Sequence, residues 1–206
     1  MSRLLWLLVT SLQKQPLPEE SGGLSQAMGG LLRLAGVPSE DDLACVGRRQ
    51  VFGSTEGVFA VEAVRCRHGF PRAFARQAVT SKVSSGMLRL SCPLLVKAID
   101  EWEASGGIEE MNTALKRDLS LKQSFMAANE VWRDIRRHSV SESQEKQIMS
   151  VIGDRGMRSF MESGIIGVSP GKTDDVKCIH AHVADHLLRG GEYQSHKLIS
   201  SLCLSR

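Results

Sequence analysis

The sequence predicts an α+β domain, with a small antiparallel sheet over about residues 56–91 and several helices packed on it over about residues 93–189. Three observations predict it. Short apolar runs alternate with small or polar residues only in the first half of the chain. At Cys92-Pro93 the apolar period lengthens from two to about 3.6 residues. Strands thus come first and helices after, which argues against the alternating units of a doubly wound sheet.

Residues 1–38 read as an N-terminal extension. Leu4 to Val9 is too short an apolar run to span a bilayer. One Arg precedes it and no small-residue cleavage site follows, so a secretory signal would be poorly formed; a surface-packed helix is expected, with a weak organellar presequence as the alternative. Gln15-Pro16-Leu17-Pro18 and Ser21-Gly22-Gly23 break the chain, and Leu24 to Ala35 suits one short helix.

A single domain over residues 39–190 follows. Ser39 is a plausible N-cap with Asp42 three residues on, and the helix should run to about Gly47. Val58 to Val64 reads as a strand bounded by Gly57 and Arg67-His68-Gly69. His68-Gly69-Phe70-Pro71 is turn chemistry, Ala73 to Val79 returns as a partner, and Met87 to Ser91 makes a third strand. Pro93 suits a first helical position, where no amide proton is needed.

The helical half follows from its apolar stripes. Leu94, Leu95, Ala98, Ile99 and Trp102 form one, closed by Ser105-Gly106-Gly107. Ile108, Met111, Leu115 and Leu119 form a second, and Leu121, Phe125, Ala128, Val131, Trp132 and Ile135 a third. Ser141 to Ile152 and Met157 to Ser163 are two shorter candidates. Val176, Ile179, Val183, Ala184, Leu187 and Leu188 predict a last helix, opened by Asp174-Asp175 and stopped by Gly190-Gly191. Residues 191–206 form a C-terminal tail.

A chain of 206 residues can bury a core without covalent staples. Its formal charge of +3 does not by itself argue for nucleic acid. The distribution is more informative: between residues 48 and 89, eight cations face only Glu56 and Glu62. Arg65, Arg67, Arg72, Arg76 and Arg89 could meet RNA or a phosphate-bearing ligand. Few aromatics accompany them for base stacking, so a solvated face is the simpler reading. Cys45, Cys66, Cys92, Cys178 and Cys203 are odd in number and widely spaced, which suggests no disulfide framework and an intracellular location, cytoplasmic or organellar.

Several motifs fail. Gly171-Lys172-Thr173 lacks the earlier glycine of a phosphate loop, since that position is Ile166. Glu101 and Glu103 flank Trp102 on a helix and read most simply as a solvated face. Cys and His are densest from Val176 to His186. Cys66 and Cys92 close strands, while Cys178 and His180 open the last helix. Strand ends capped by a returning helix can gather four ligands, and three thiolates with one imidazole suit tetrahedral zinc. The alternative is a helix with partly exposed histidines and a core cysteine.

Five ordered segments add to this reading. They are Arg65-Cys66-Arg67-His68-Gly69-Phe70-Pro71, Leu90-Ser91-Cys92-Pro93, Glu103-Ala104-Ser105-Gly106-Gly107, Ser163-Gly164-Ile165-Ile166-Gly167 and Val176-Lys177-Cys178-Ile179-His180-Ala181-His182. Together, over about residues 40–190, they resemble the bacterial and plastid-lineage family designated domain of unknown function 501. The resemblance implies family positions at Cys66, Gly69, Pro71, Cys92, Pro93, Lys177, Cys178 and His180, with His68 and His182 on variable ones. It singles out the same three cysteines and one histidine. Two segments depart from the family pattern: Ser81 to Leu90 lacks its Pro-Phe-Pro-Thr run, and Glu192-Tyr193-Gln194-Ser195 replaces its Asn-Pro. The resemblance implies no particular activity.

The expectation is therefore a domain with a structural zinc site at Cys66, Cys92, Cys178 and His180, and with His68, Lys177 and His182 behind the ligands. An alternative is an enzyme using the same cluster, either through a metal-bound water or through a Cys178 thiolate poised by His180. A third class is an RNA- or phosphate-binding module built on the basic strands.

Overall fold

A computed structural model describes residues 35–49, 55–80, 83, 86–165 and 175–189. It is an α+β fold. Strands β1 (Ala35–Gly36), β2 (Val58–Glu62), β3 (Ala73–Arg76) and β4 (Leu88–Leu90) pair antiparallel in chain order. The helices are α1 (Glu40–Arg49), α2 (Pro93–Ala104), α3 (Gly107–Arg117), α4 (Leu119–Ser139), α5 (Glu142–Met161) and α6 (Ile179–Arg189).

The boundaries have local causes. At the start of α1 Ser39 and Asp42 bond reciprocally, each side chain accepting from the other's amide at 3.2 and 3.0 Å. Pro93 is the first residue of α2, as expected, and Cys92 precedes it without a side-chain cap bond. Asp118 caps α4 by accepting from the amides of Ser120 and Leu121. The two short helices expected between 141 and 163 are both present, running on from one another as α5, which a Ser141–Gln144 capping box opens and a kink at Gly153 divides. There φ 65° and ψ 176° interrupt the helical path in a region that side chains avoid.

Two residues of strand pairing at Ala35–Gly36 were not expected, since the apolar run Leu24 to Ala35 reads as helical. The rest of that proposed helix, the extension before it, the Gly171-Lys172-Thr173 segment, Asp174 and the tail from Gly190 to Arg206 with Cys203 lie outside the described residues.

The sheet separates two apolar layers. Val61 and Phe74 point to one face, where they meet Val46 of α1. Ala60, Ala73, Ala75, Leu88 and Leu90 join the main core with the helices. The alternation of strand residues assigns each side chain to its layer. In the main core α6 lies against β2, β3, β4 and α2, and every residue from Ala181 to Arg189 is buried. Trp132, Phe125, Leu95, Ile99 and Met111 are fully buried members of the same core. Each such side chain contributes roughly 1.5–3 kcal/mol on leaving water.

Candidate metal centre

The site forms where the C-terminus of α2 meets the N-terminus of α6. Glu103 lies in the last turn of α2, and its carboxylate accepts from the amide of Ile179, the first residue of α6. It thereby caps a helix 76 residues downstream. The chain just before α6 is held from α3. Asn112 donates to the carbonyl of Val176 at 3.1 Å and accepts from its amide at 2.7 Å. These two anchors explain why α6 begins at Ile179 and not at the Val176 expected from periodicity. Cys178 consequently precedes the helix.

The first turn of α6 carries His180. Its Nδ1 lies 3.2 Å from Glu103 Oε1 and its Nε2 lies 3.1 Å from Asp100 Oδ1. Asp100 and Glu103 are one turn apart near the C-terminus of α2, whose last turn holds no basic residue. Two carboxylates at the negative end of a helix need a cationic partner. Burial alone would lower the His180 pKa, but contacts with Cys178 and Glu103 outweigh it and raise the pKa to about 9.

Glu103, Cys178 and His180 each offer one ligand atom, and these atoms lie within 4.8 Å of one another. Donor atoms on a tetrahedral zinc sit about 3–4 Å apart, given bonds of about 2.0–2.3 Å. Closing the group on an ion therefore takes shifts of about an ångström. All three side chains are partly buried, with His180 21% and Glu103 23% exposed, so the cluster keeps an opening to solvent. Carboxylate, thiolate and imidazole are a donor set that zinc accepts.

The structure brings Cys178 and His180 together but leaves Cys66 and Cys92 outside this group. The reason for Cys92 is the length of α2. Cys92 precedes its first residue while Glu103 is in its last turn, about 16 Å further along the axis at about 1.5 Å per residue. Cys66 sits in the turn between β2 and β3, where its amide donates to the Phe70 carbonyl at 2.9 Å. It lies toward Cys45 of α1: burial pushes the Cys45 thiol up, and Cys66 is near enough to add to the rise. All four described cysteines are free thiols.

The supporting residues expected from sequence divide as well. Lys177 is exposed beside Cys178. His68 is exposed in its turn and accepts from Arg67 Nε at 3.1 Å. His182 is 2% exposed, its ring centroid 5.1 Å from that of Phe125 and its Nδ1 without a hydrogen bond. Burial pushes its pKa down to about 4, so it is neutral. The helical pattern alone makes Glu103 a solvated face. What periodicity could not show is that another helix begins against it. Asp100 and Asn112 carried no sequence signal.

The basic strand residues are likewise unequal. Arg65 is paired with Asp42 through both guanidinium nitrogens, and Arg72 is buried against Glu62. Arg76 is partly buried, and burial lowers its pKa. Arg67 and Arg89 are exposed. Among the described residues no helix is long and apolar enough to cross a membrane.

Residues 62–201 match the family model described as "Protein of unknown function (DUF501)". Neither the curated proteins nor the solved structures include a match to the chain.

Proposed function

The chain belongs to the DUF501 family of proteins of unknown function, and from that premise we propose that its domain is stabilised by a zinc ion held by Glu103, Cys178 and His180. The observation that carries this reading is the convergence of three ligand atoms within 4.8 Å, one from α2 and two from the start of α6 and the residue before it. Glu103 takes the place that sequence reasoning gave to Cys66 and Cys92. An ion there would join the C-terminus of α2 to the N-terminus of α6. It would also offset the two carboxylates at the negative end of α2.

The test is elemental analysis of the purified full chain beside Cys178→Ser and Glu103→Gln. About one zinc per wild-type chain, lost in both variants, supports the reading. Wild-type protein that takes up no zinc overturns it. Chelation should lower the melting temperature, because forming such a site and folding share one free energy.

One observation favours a second role at the same place. Three protein donors leave a tetrahedral ion one position for water, as in sites where zinc activates a water molecule. Unchanged thermal stability after zinc removal would favour that role over a structural one.

A further inference from the structure

We propose that Asp100 is a positioning residue for this site, holding His180 so that Nδ1 and not Nε2 meets the ion. The inference rests on the metal reading above. The two ring nitrogens of His180 face different carboxylates, with Nε2 3.1 Å from Asp100 and Nδ1 3.2 Å from Glu103. Glu103 belongs to the ligand group that contains Cys178, and Asp100 does not. An ion shared by Cys178 and Glu103 is therefore approached from the Nδ1 side of the ring.

A neutral imidazole donates through one nitrogen and offers a lone pair on the other. An ion at Nδ1 displaces the proton that the ring holds there, and with Nε2–H still donating to Asp100 the lone pair is on Nδ1. Rotating the ring by a half-turn does not exchange these roles, because it replaces Nδ1 by a carbon. The helix enforces the division of labour. Asp100 and Glu103 stand three residues apart on one face of α2, so the spacing of the carboxylates fixes the plane of the imidazole between them. A carboxylate behind a metal-bound histidine both selects the tautomer and makes the ring a better donor. Asp100 is 64% exposed, so replacing it leaves the core intact.

The experiment uses the full chain and zinc alone. Zinc affinity is measured by chelator competition for the wild type, Asp100→Ala, Asp100→Asn and Cys178→Ser. Long-range proton–nitrogen spectra of the zinc-loaded protein report the His180 tautomer. The expected spectrum has a protonated Nε2 and a zinc-bound Nδ1. Asp100→Ala should weaken zinc about 10–100-fold. Asp100→Asn keeps an oxygen acceptor and should recover most of that loss, which a merely electrostatic surface role would not predict. Coordination through Nε2 overturns the proposal. So does an Asp100→Ala affinity within about twofold of wild type while Cys178→Ser abolishes binding, and that result leaves the metal site standing. Zinc affinity untouched by Cys178→Ser overturns both.

Discussion

The indole Nε1 of Trp132 donates to Asp185 Oδ1 at 2.6 Å, a buried bond between residues 53 apart that ties the longest helix to α6. Arg189 donates to the same carboxylate, with Nε 2.6 Å from Oδ1 and Nη2 2.9 Å from Oδ2. Asp185→Ala removes the carboxylate from a buried ion pair and should cost about 3–5 kcal/mol. Trp132→Phe keeps most of the apolar body and removes one donor, so it should cost less. Urea midpoints of the two variants check the order, which is the point at issue.

The buried His182 makes stability depend on acid. Its pKa is about 4 in the fold, against about 6.5 when unfolded. The unfolded chain therefore binds a proton first as pH falls. This contribution is whole above about pH 6.5 and is lost toward pH 4, on the order of 3 kcal/mol at most. His182→Leu should lose less stability than wild type between pH 7 and pH 4.5. Parallel losses in the two proteins would show that His182 is not the group responsible.

Cys92 and Cys178 should behave oppositely when replaced by serine. Cys92 stands at the N-cap of α2 without a side-chain cap bond, a position where serine is favoured. Cys92→Ser should keep its zinc and melt within roughly 4 °C of wild type. Cys178→Ser should lose the metal. Zinc lost from Cys92→Ser would restore the thiolate-rich site expected from sequence.

Arg72 distinguishes an internal ion pair from a ligand-binding surface. It is 2% exposed, stands just before β3 and pairs with Glu62 at the end of β2. Arg72→Met should cost several kcal/mol by leaving Glu62 without this partner. Arg67→Ala and Arg89→Ala, at exposed sites, should stay within about 0.5 kcal/mol. Heparin retention that falls only with the exposed pair would point to a polyanion surface made without Arg72.

Gly164 meets Asn129. A Cβ added there would come within 2.1 Å of Asn129 Oδ1, the atom that accepts from the Ile165 amide at 3.0 Å. Gly164→Ala should cost about 1–3 kcal/mol, measured by thermal melting, because the clash displaces an amide that the turn requires.

The local signals that could be read in the sequence were those whose cause is local. Ser39 with Asp42, Pro93 after Cys92 and the stripe through Trp102 each act within a few residues, and each marks an element correctly. The density of Cys178 and His180 is a local signal too, and the two stand together beside Glu103. Glu103 reads as a solvated face because an acid beside a buried Trp has one helical pattern whether it faces water or another helix. Periodicity does not say which end of α2 meets α6, so the position of Cys92 at the opposite end from Glu103 is not legible in it. Arg65 and Arg72 looked like free charges because their partners are Asp42, 23 residues away, and Glu62, 10 residues away.

The helix that fills the middle of the main core is also the last element described, so the order of synthesis matters. During translation β2, β3 and β4 leave the ribosome before α6, with the apolar face that α6 later covers exposed to water or a chaperone. On the order of ten seconds of elongation separates β4 from the arrival of α6. A nascent chain arrested before Ile179 should be cleaved readily by protease in its sheet, and one arrested well past Arg189 should resist. Equal resistance in the two would mean that the sheet closes without its central helix.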